Sequence, residues 1–233
     1  MNQKQKTYWT QIAEAFKDYD DRLLFAGANE PNVEDATGMS VLMTYHQTFI
    51  SAVRATGGNN STRVLVIQGP STDIEKTNNL MNNLPNDTVA NRIIMEVHYY
   101  TPYQFCLMTE DASWGSMFYY WGNGNHSTIE ANRNATYGEE ADVEKFFGYM
   151  KSKFVDRGIP VIIGEFLAIQ RSNPADMTKH LNSRDYYHRY LVDSAKQKGI
   201  KMFFWDTGGA IDRNSGSIKD QRVINALMQG AGS

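Results

Sequence analysis

The chain has little cysteine, no long hydrophobic run and no excess of charge of one sign. A single cysteine, Cys106, excludes an internal disulfide framework and leaves the redox compartment open. No apolar stretch approaches the roughly 18 residues that a membrane span needs, so no membrane partner is expected. Lys and Arg number 23 against 26 Asp and Glu, a net charge of −3 with no basic stripe, which argues against nucleic acid. The first residues, Met1-Asn2-Gln3-Lys4-Gln5-Lys6, are polar and lead straight into a helical pattern, so they do not read as a signal peptide. Five scattered histidines do not make a zinc site, and no Asp-rich calcium loop is present. Neither a metal nor a cofactor is expected.

What remains is a chain of 233 residues, 41% hydrophobic, which suffices for one substantial core and is read as a single domain over 1–233. Aromatics are abundant at 12%, and Tyr and Trp combine an apolar face with a polar tip, which suits carbohydrate surfaces as well as ordinary cores. Helical and strand patterns alternate throughout. Helices are expected at 7–19, 39–56, 72–83, 140–157, 184–198 and 218–229, where apolar residues recur at helical spacing, as Leu42, Tyr45, Phe49 and Val53 do. Five strands are expected, at 23–28, 63–67, 93–98, 160–164 and 200–205. Continuous apolar strands separated by amphipathic helices argue for a parallel α/β sheet.

Three of these strands end in residues with chemistry. Leu23–Phe25 runs into Ala28-Asn29-Glu30-Pro31, Val161–Ile163 into Gly164-Glu165-Phe166, and Met202-Phe203-Phe204 into Trp205. Acids and aromatics at the carboxyl ends of barrel strands are what an enzyme that cleaves sugar polymers requires, because the strands fix two carboxylates across a cleft whose aromatics stack on pyranose faces.

With Asn29-Glu30-Pro31, His98-Tyr99-Tyr100, Gly164-Glu165-Phe166 and Phe204-Trp205 in this order, each at its own strand end, residues 7–229 resemble glycoside hydrolase family 5, specifically its endoglucanases. Gln68-Gly69-Pro70 and Thr101-Pro102 look most like the branch active on β-1,4-glucans and xyloglucan. The resemblance implies a (β/α)8-type barrel, Glu30 as acid/base, Glu165 as nucleophile, Asn29 on the sugar 2-hydroxyl, His98 and Tyr100 around the carboxylates, and Trp205 beneath the sugar at the cut. It also implies a β-1,4-glucan substrate and a secreted, extracellular setting. Relative to the family, this chain begins at the helix before the fourth strand, so an incomplete barrel of about five strands, equivalent to strands 4–8, is expected.

Each residue also has a plainer reading. Either glutamate can simply cap a strand, His98 can be a satisfied structural histidine, and Trp205 can be core. The aromatic stretch 103–126, with Tyr103, Phe105, Trp114, Phe118, Tyr119, Tyr120, Trp121 and His126, reads equally as a cleft wall and as a loop pinned by its own cluster; Trp114 and Trp121 are its candidate sugar-binding residues. Glu96 shares parity with His98 and so faces the same side of its strand, where Arg63 is one candidate partner and a residue from the family's absent strands is another. Five parallel strands leave two open edges, so a homodimer or higher oligomer is expected. Three functions compete: a retaining endo-β-1,4-glucanase, a glucan-binding fragment without turnover, and a barrel enzyme of unrelated chemistry, for which no nucleotide loop, metal cluster or Ser/Cys nucleophile speaks.

Overall fold

The computed structural model describes residues 2–232. Twelve elements can be followed: α1 (Asn2–Phe16), β1 (Phe25–Ala26), α2 (Ala36–Ala55), β2 (Leu65–Gln68), α3 (Ile74–Leu80), β3 (Ile93–Tyr99), α4 (Tyr103–Cys106), α5 (Glu140–Lys153), β4 (Val161–Phe166), α6 (Met177–Gln197), β5 (Lys201–Met202) and α7 (Gln221–Ala231). The strands form one five-stranded sheet in chain order, β1-β2-β3-β4-β5. β1 pairs parallel with β2, and β2 with β3. Sequential order with a helix between neighbouring strands is the arrangement of consecutive βα units. All five expected strands are present, and the partial (β/α) barrel reading stands. Among the described residues, no helix is long and apolar enough to cross a membrane.

The chain divides into two compact units. One runs to Val97 and takes in Tyr149–Ile162; the other comprises His98–Gly148 and the chain from Ile163 onward.

In the first unit, all four residues of β2 are buried, as expected for a strand covered on both faces. Phe49, Ile50 and Val53 of α2 are buried with Leu65 and Ile67. At Gly27, directly after β1, a Cβ would sit 2.8 Å from the Phe49 ring, so only glycine lets α2 approach this closely. Arg63 does not pair with Glu96, contrary to expectation. Its guanidinium is buried and donates to the carbonyls of Phe16, Tyr19, Asp20 and Leu23 and to Asn60 Oδ1. It satisfies acceptors that the end of α1 leaves open, which a short side chain at that position could not reach.

In the second unit, Tyr187 and Leu191 of α6 are buried together with Phe105, Phe166 and Val223. Cys106 is also buried; desolvation pushes its thiol up to about 12, so it is an inert core residue. β5 is short, but ladder bonds continue past it, from Phe203 N to Ile163 O and from Trp205 N to Phe166 O.

Helix starts differ most from expectation. α6 begins at Met177 rather than 184, and α2 at Ala36 rather than 39. In both cases an aspartate caps the first turn: Asp176 accepts from Lys179 N, and Asp35 from Gly38 N. A cap can start a helix before its apolar stripe begins. α3 is shorter than 72–83, and the α-helical part of 140–157 ends at Lys153 before a 3-10 turn at Val155–Arg157.

Candidate active site

Asn29, Glu30, His98, Tyr100, Glu165 and Trp205 are placed at or just past the carboxyl ends of strands, and each unit carries its own set.

In the first unit, the segment after β1 is held by Gln68, the last residue of β2. Ala28 N donates to Gln68 Oε1 at 2.9 Å, and Gln68 Nε2 donates to Glu96 Oε2 at 2.6 Å. The buried amide therefore ties the Ala28-Asn29-Glu30 turn to β3. The carbonyl of Gln68 faces His46 Nε2 at 2.9 Å. Burial lowers His46 to about 4 and keeps the ring neutral. Asn29 and Glu30 are exposed. Glu30 has φ 42, in the left-handed region that a residue with a Cβ rarely occupies. Such strain costs on the order of 1–3 kcal/mol and concentrates at functional positions. Glu96 is half-buried, with Gln68 as a partner in place of Arg63.

In the second unit, Glu165 sits near the end of β4 with two side chains on one of its oxygens. Tyr100 Oη donates to Glu165 Oε2 at 2.8 Å, and His98 Nδ1 lies 3.5 Å from that same oxygen. The His98 side chain is buried and that of Glu165 nearly so. A carboxylate gripped this way has one oxygen engaged and a defined rotamer, which leaves its second oxygen to be aimed. Trp205 is half exposed at the end of the strand extension, with its backbone fixed to Phe166.

The aromatic stretch divides. Phe105, Phe118, Tyr119, Tyr120 and Trp121 are buried. Trp121 is a correction: its ring is fully enclosed, Nε1 donates to Gly138 O at 2.8 Å, and it packs edge-on against Tyr187, so no face is open to a sugar. Trp114 is 65% exposed and stands beside the exposed Tyr103, ring centroids 6.1 Å apart. Same-loop tryptophans thus end in opposite environments.

Several side chains that shape this region were not singled out from the sequence. Arg171 is buried and donates to the carbonyls of Gln104, Met108 and Phe118, holding the aromatic stretch from within. His180, Arg184 and His188 lie four residues apart along α6 and grip the backbone that follows Glu165. Ala168 N donates to His188 Nε2 at 3.2 Å, Arg171 N donates to His180 Nε2 at 3.0 Å, and Arg184 Nε donates to Ala168 O at 3.1 Å. Burial lowers His180 to about 4 and His188 to about 3, so both are neutral acceptors. The i, i+4, i+8 spacing was visible as a polar stripe, but such a stripe ordinarily faces water.

Comparison with known proteins gives the family of the chain. Residues 1–210 match the cellulase family, glycosyl hydrolase family 5. The chain belongs to that family. It is 36% identical over 247 residues to a xyloglucan-specific endo-β-1,4-glucanase of Bacteroides ovatus, covering 99% of this chain and 46% of that protein. It is 30% identical to endoglucanase B of Neocallimastix patriciarum, covering 97% of this chain and 45% of the other. Among solved structures, a family 5 xyloglucan-specific β-1,4-glucanase from a ruminal metagenomic library, in complex with the oligosaccharide XXLG, superposes with a TM-score of 0.90 at 40% identity, covering 99% of this chain and 64% of that one. A Bacteroides ovatus family 5 xyloglucanase in complex with an XXXG heptasaccharide gives 0.88 at 33% identity, covering 100% and 51%. The chain spans about half the length of the curated relatives it matches.

Proposed function

We propose that this family 5 chain acts as a retaining endo-β-1,4-glucanase, with Glu165 as nucleophile and Glu30 as acid/base. The observation that carries the proposal is the Tyr100 and His98 grip on one oxygen of Glu165 at the end of β4. The other oxygen attacks the anomeric carbon while Glu30 protonates the departing glycosidic oxygen. Glu30, now a carboxylate, then takes a proton from water, whose oxygen displaces Glu165 and restores it. This chemistry requires the two carboxyl groups to be about 5–5.5 Å apart, with the 1–233 chain working as one catalytic domain. Asn29 holds the 2-hydroxyl, and Trp205 and Trp114 present faces to the glucan. The named relatives and the oligosaccharides in their complexes support a β-1,4-glucan backbone, with xyloglucan included.

The test is reducing-sugar release from carboxymethylcellulose and xyloglucan by the wild-type chain and Glu165→Gln. Release by the wild type, abolished in the variant, supports the proposal. Tight glucan binding by both with no release by either would favour the second reading, a glucan-binding fragment without turnover.

The partner is thus an extracellular polysaccharide, and the proposed setting is secreted. A second copy of the chain is proposed as a further partner. The sheet order ends at β1 and β5, and α1 exposes Tyr8, Ile12 and Phe16. A sharp monomer peak in size-exclusion chromatography at micromolar concentration would remove that dimer.

A further inference from the structure

The parallel ladder between β1 and β2 stops short of Glu30. Phe25 N reaches Val64 O and Gly27 N reaches Val66 O, so the next rung would run from Asn29 N to Gln68 O. That carbonyl instead faces His46 Nε2 at 2.9 Å. A carbonyl only accepts, so the imidazole proton sits on Nε2. The Gln68 side chain takes over from the ladder, its Oε1 accepting from Ala28 N at 2.9 Å.

The orientation of that amide is set from the other side. Gln68 and Glu96 are register partners on β2 and β3, and Gln68 Nε2 donates to Glu96 Oε2 at 2.6 Å. Glu96 thus takes the amide nitrogen, which turns the amide oxygen toward Ala28. Gln68 is fully buried, so water does not compete for either end. Further along, Ser71 N donates to Pro31 O at 2.7 Å. The turn 28–31 is therefore pinned at both ends. Between the pins Glu30 holds φ 42 ahead of a proline, which narrows its choices further. A residue keeps so strained a conformation only while its surroundings over-determine it.

We propose that Gln68 is the positioning residue for Glu30, with Glu96 orienting the Gln68 amide so that it holds the strained turn and aims the acid/base carboxyl. The proposal rests on the glucanase reading of Glu30 and adds to it how that carboxyl is kept in place. Without the amide the turn relaxes to an ordinary φ and carries the carboxyl away from the glycosidic oxygen. A misplacement of about 1 Å lowers the rate about 10²-fold. Only steps that need this proton transfer suffer.

Two variants test it. Gln68→Leu removes both bonds at similar volume. Its kcat/KM on carboxymethylcellulose should fall about 100-fold, while kcat/KM on 2,4-dinitrophenyl cellobioside, whose leaving group needs no proton, should stay within about threefold. Equal losses on the two substrates, or no loss on either, overturn the proposal, because packing damage does not distinguish leaving groups.

Gln68→Glu keeps an acceptor for Ala28 N but sets a carboxyl against Glu96. With one proton shared, the pair holds as the amide did; with both ionised, two like charges meet and the hold is lost. His46, which burial lowers to about 4, stays neutral throughout, and Glu30 is common to variant and wild type. The variant's kcat/KM on the polymer, divided by the wild-type value at the same pH, should fall about tenfold or more from pH 5.5 to pH 8 and recover when the same sample is returned. A ratio that does not move with pH overturns the proposal, and this reversible change decides alone should the leucine variant fail to fold. If the wild type hydrolyses neither substrate, the glucanase reading fails, and hydrogen exchange decides whether Gln68 holds the turn. Protection of the Ala28 N–H in Gln68→Glu should then match the wild type at pH 5.5 and be lost at pH 8, with the Gly27 N–H, bonded to Val66 O, unchanged as the control. Protection equal to the wild type at both pH values overturns the proposal.

Discussion

Tyr100 donates its phenolic proton to Glu165 Oε2 at 2.8 Å, from the segment after β3 to the end of β4. The bond fixes which oxygen of the carboxylate is occupied. Tyr100→Phe keeps the ring and removes only the donor. We expect kcat to fall roughly 10- to 100-fold with KM little changed, since the loss concerns aim and not substrate contact. An equal fall in both substrate affinity and thermal stability would indicate a packing role instead.

The two glutamates should fail differently. Glu30→Ala should retain turnover of aryl glycosides whose leaving group needs no protonation, while losing activity on glucan by about 10³-fold. Added azide should rescue it and give a product of retained configuration. Glu165→Ala should lose both substrates, and azide should give the inverted product. Identical behaviour of the two variants would reject the assigned roles.

Three buried histidines make stability sensitive to acid. His46 and His180 are lowered to about 4 and His188 to about 3, desolvation being the main cause in each. Above pH 6.5 they are neutral whether the chain is folded or unfolded, and their contribution is fully present. Below it the unfolded chain takes up protons that the folded chain refuses, so stability falls as pH drops from about 6.5 towards 4, with a limiting slope of ~1.4 kcal/mol per pH unit per histidine. The loss levels off once the folded rings also protonate. Urea midpoints at pH 7 and 5.5 should show the fall, and His188→Gln should make it shallower.

Arg171 should matter for stability through the aromatic stretch it holds. Arg171→Ala leaves the carbonyls of Gln104, Met108 and Phe118 without their buried donor. We expect a loss of about 3 kcal/mol or more in denaturant unfolding, with faster proteolysis inside 103–133. Arg171→Lys should recover only a fraction, because an ammonium group lacks the planar fork.

Trp114 stands out in the open, so its removal should cost binding rather than fold. Trp114→Ala should raise KM for polymeric glucan about tenfold with the melting temperature nearly unchanged. Trp121→Ala should do the reverse, destabilising by about 3–5 kcal/mol as a core cavity.

The amino-acid sequence alone determined the alternation of apolar strands and amphipathic helices, because a strand buried on both faces must be continuously hydrophobic, as Leu65-Val66-Ile67 is. It determined family membership as well, since Glu30, His98, Glu165 and Trp205 are carried at the ends of four of the five strands by local residue choice. What only the tertiary structure decided was which side chains meet. Trp114 and Trp121 have the same chemistry and each precedes a glycine, and their separation depends on where α6 packs. Arg63 and Glu96 looked like partners by charge, but the guanidinium was claimed by the carbonyls at the end of α1, and Gln68, an uncharged residue with no pairing signal, reached the carboxylate first. The grip of His180, Arg184 and His188 on the chain after Glu165 was likewise invisible, since a polar stripe on a helix reads as a solvated face until another backbone is laid across it. Periodicity is local and survives in one dimension; burial and partnership belong to distant segments and exist only once the chain has folded.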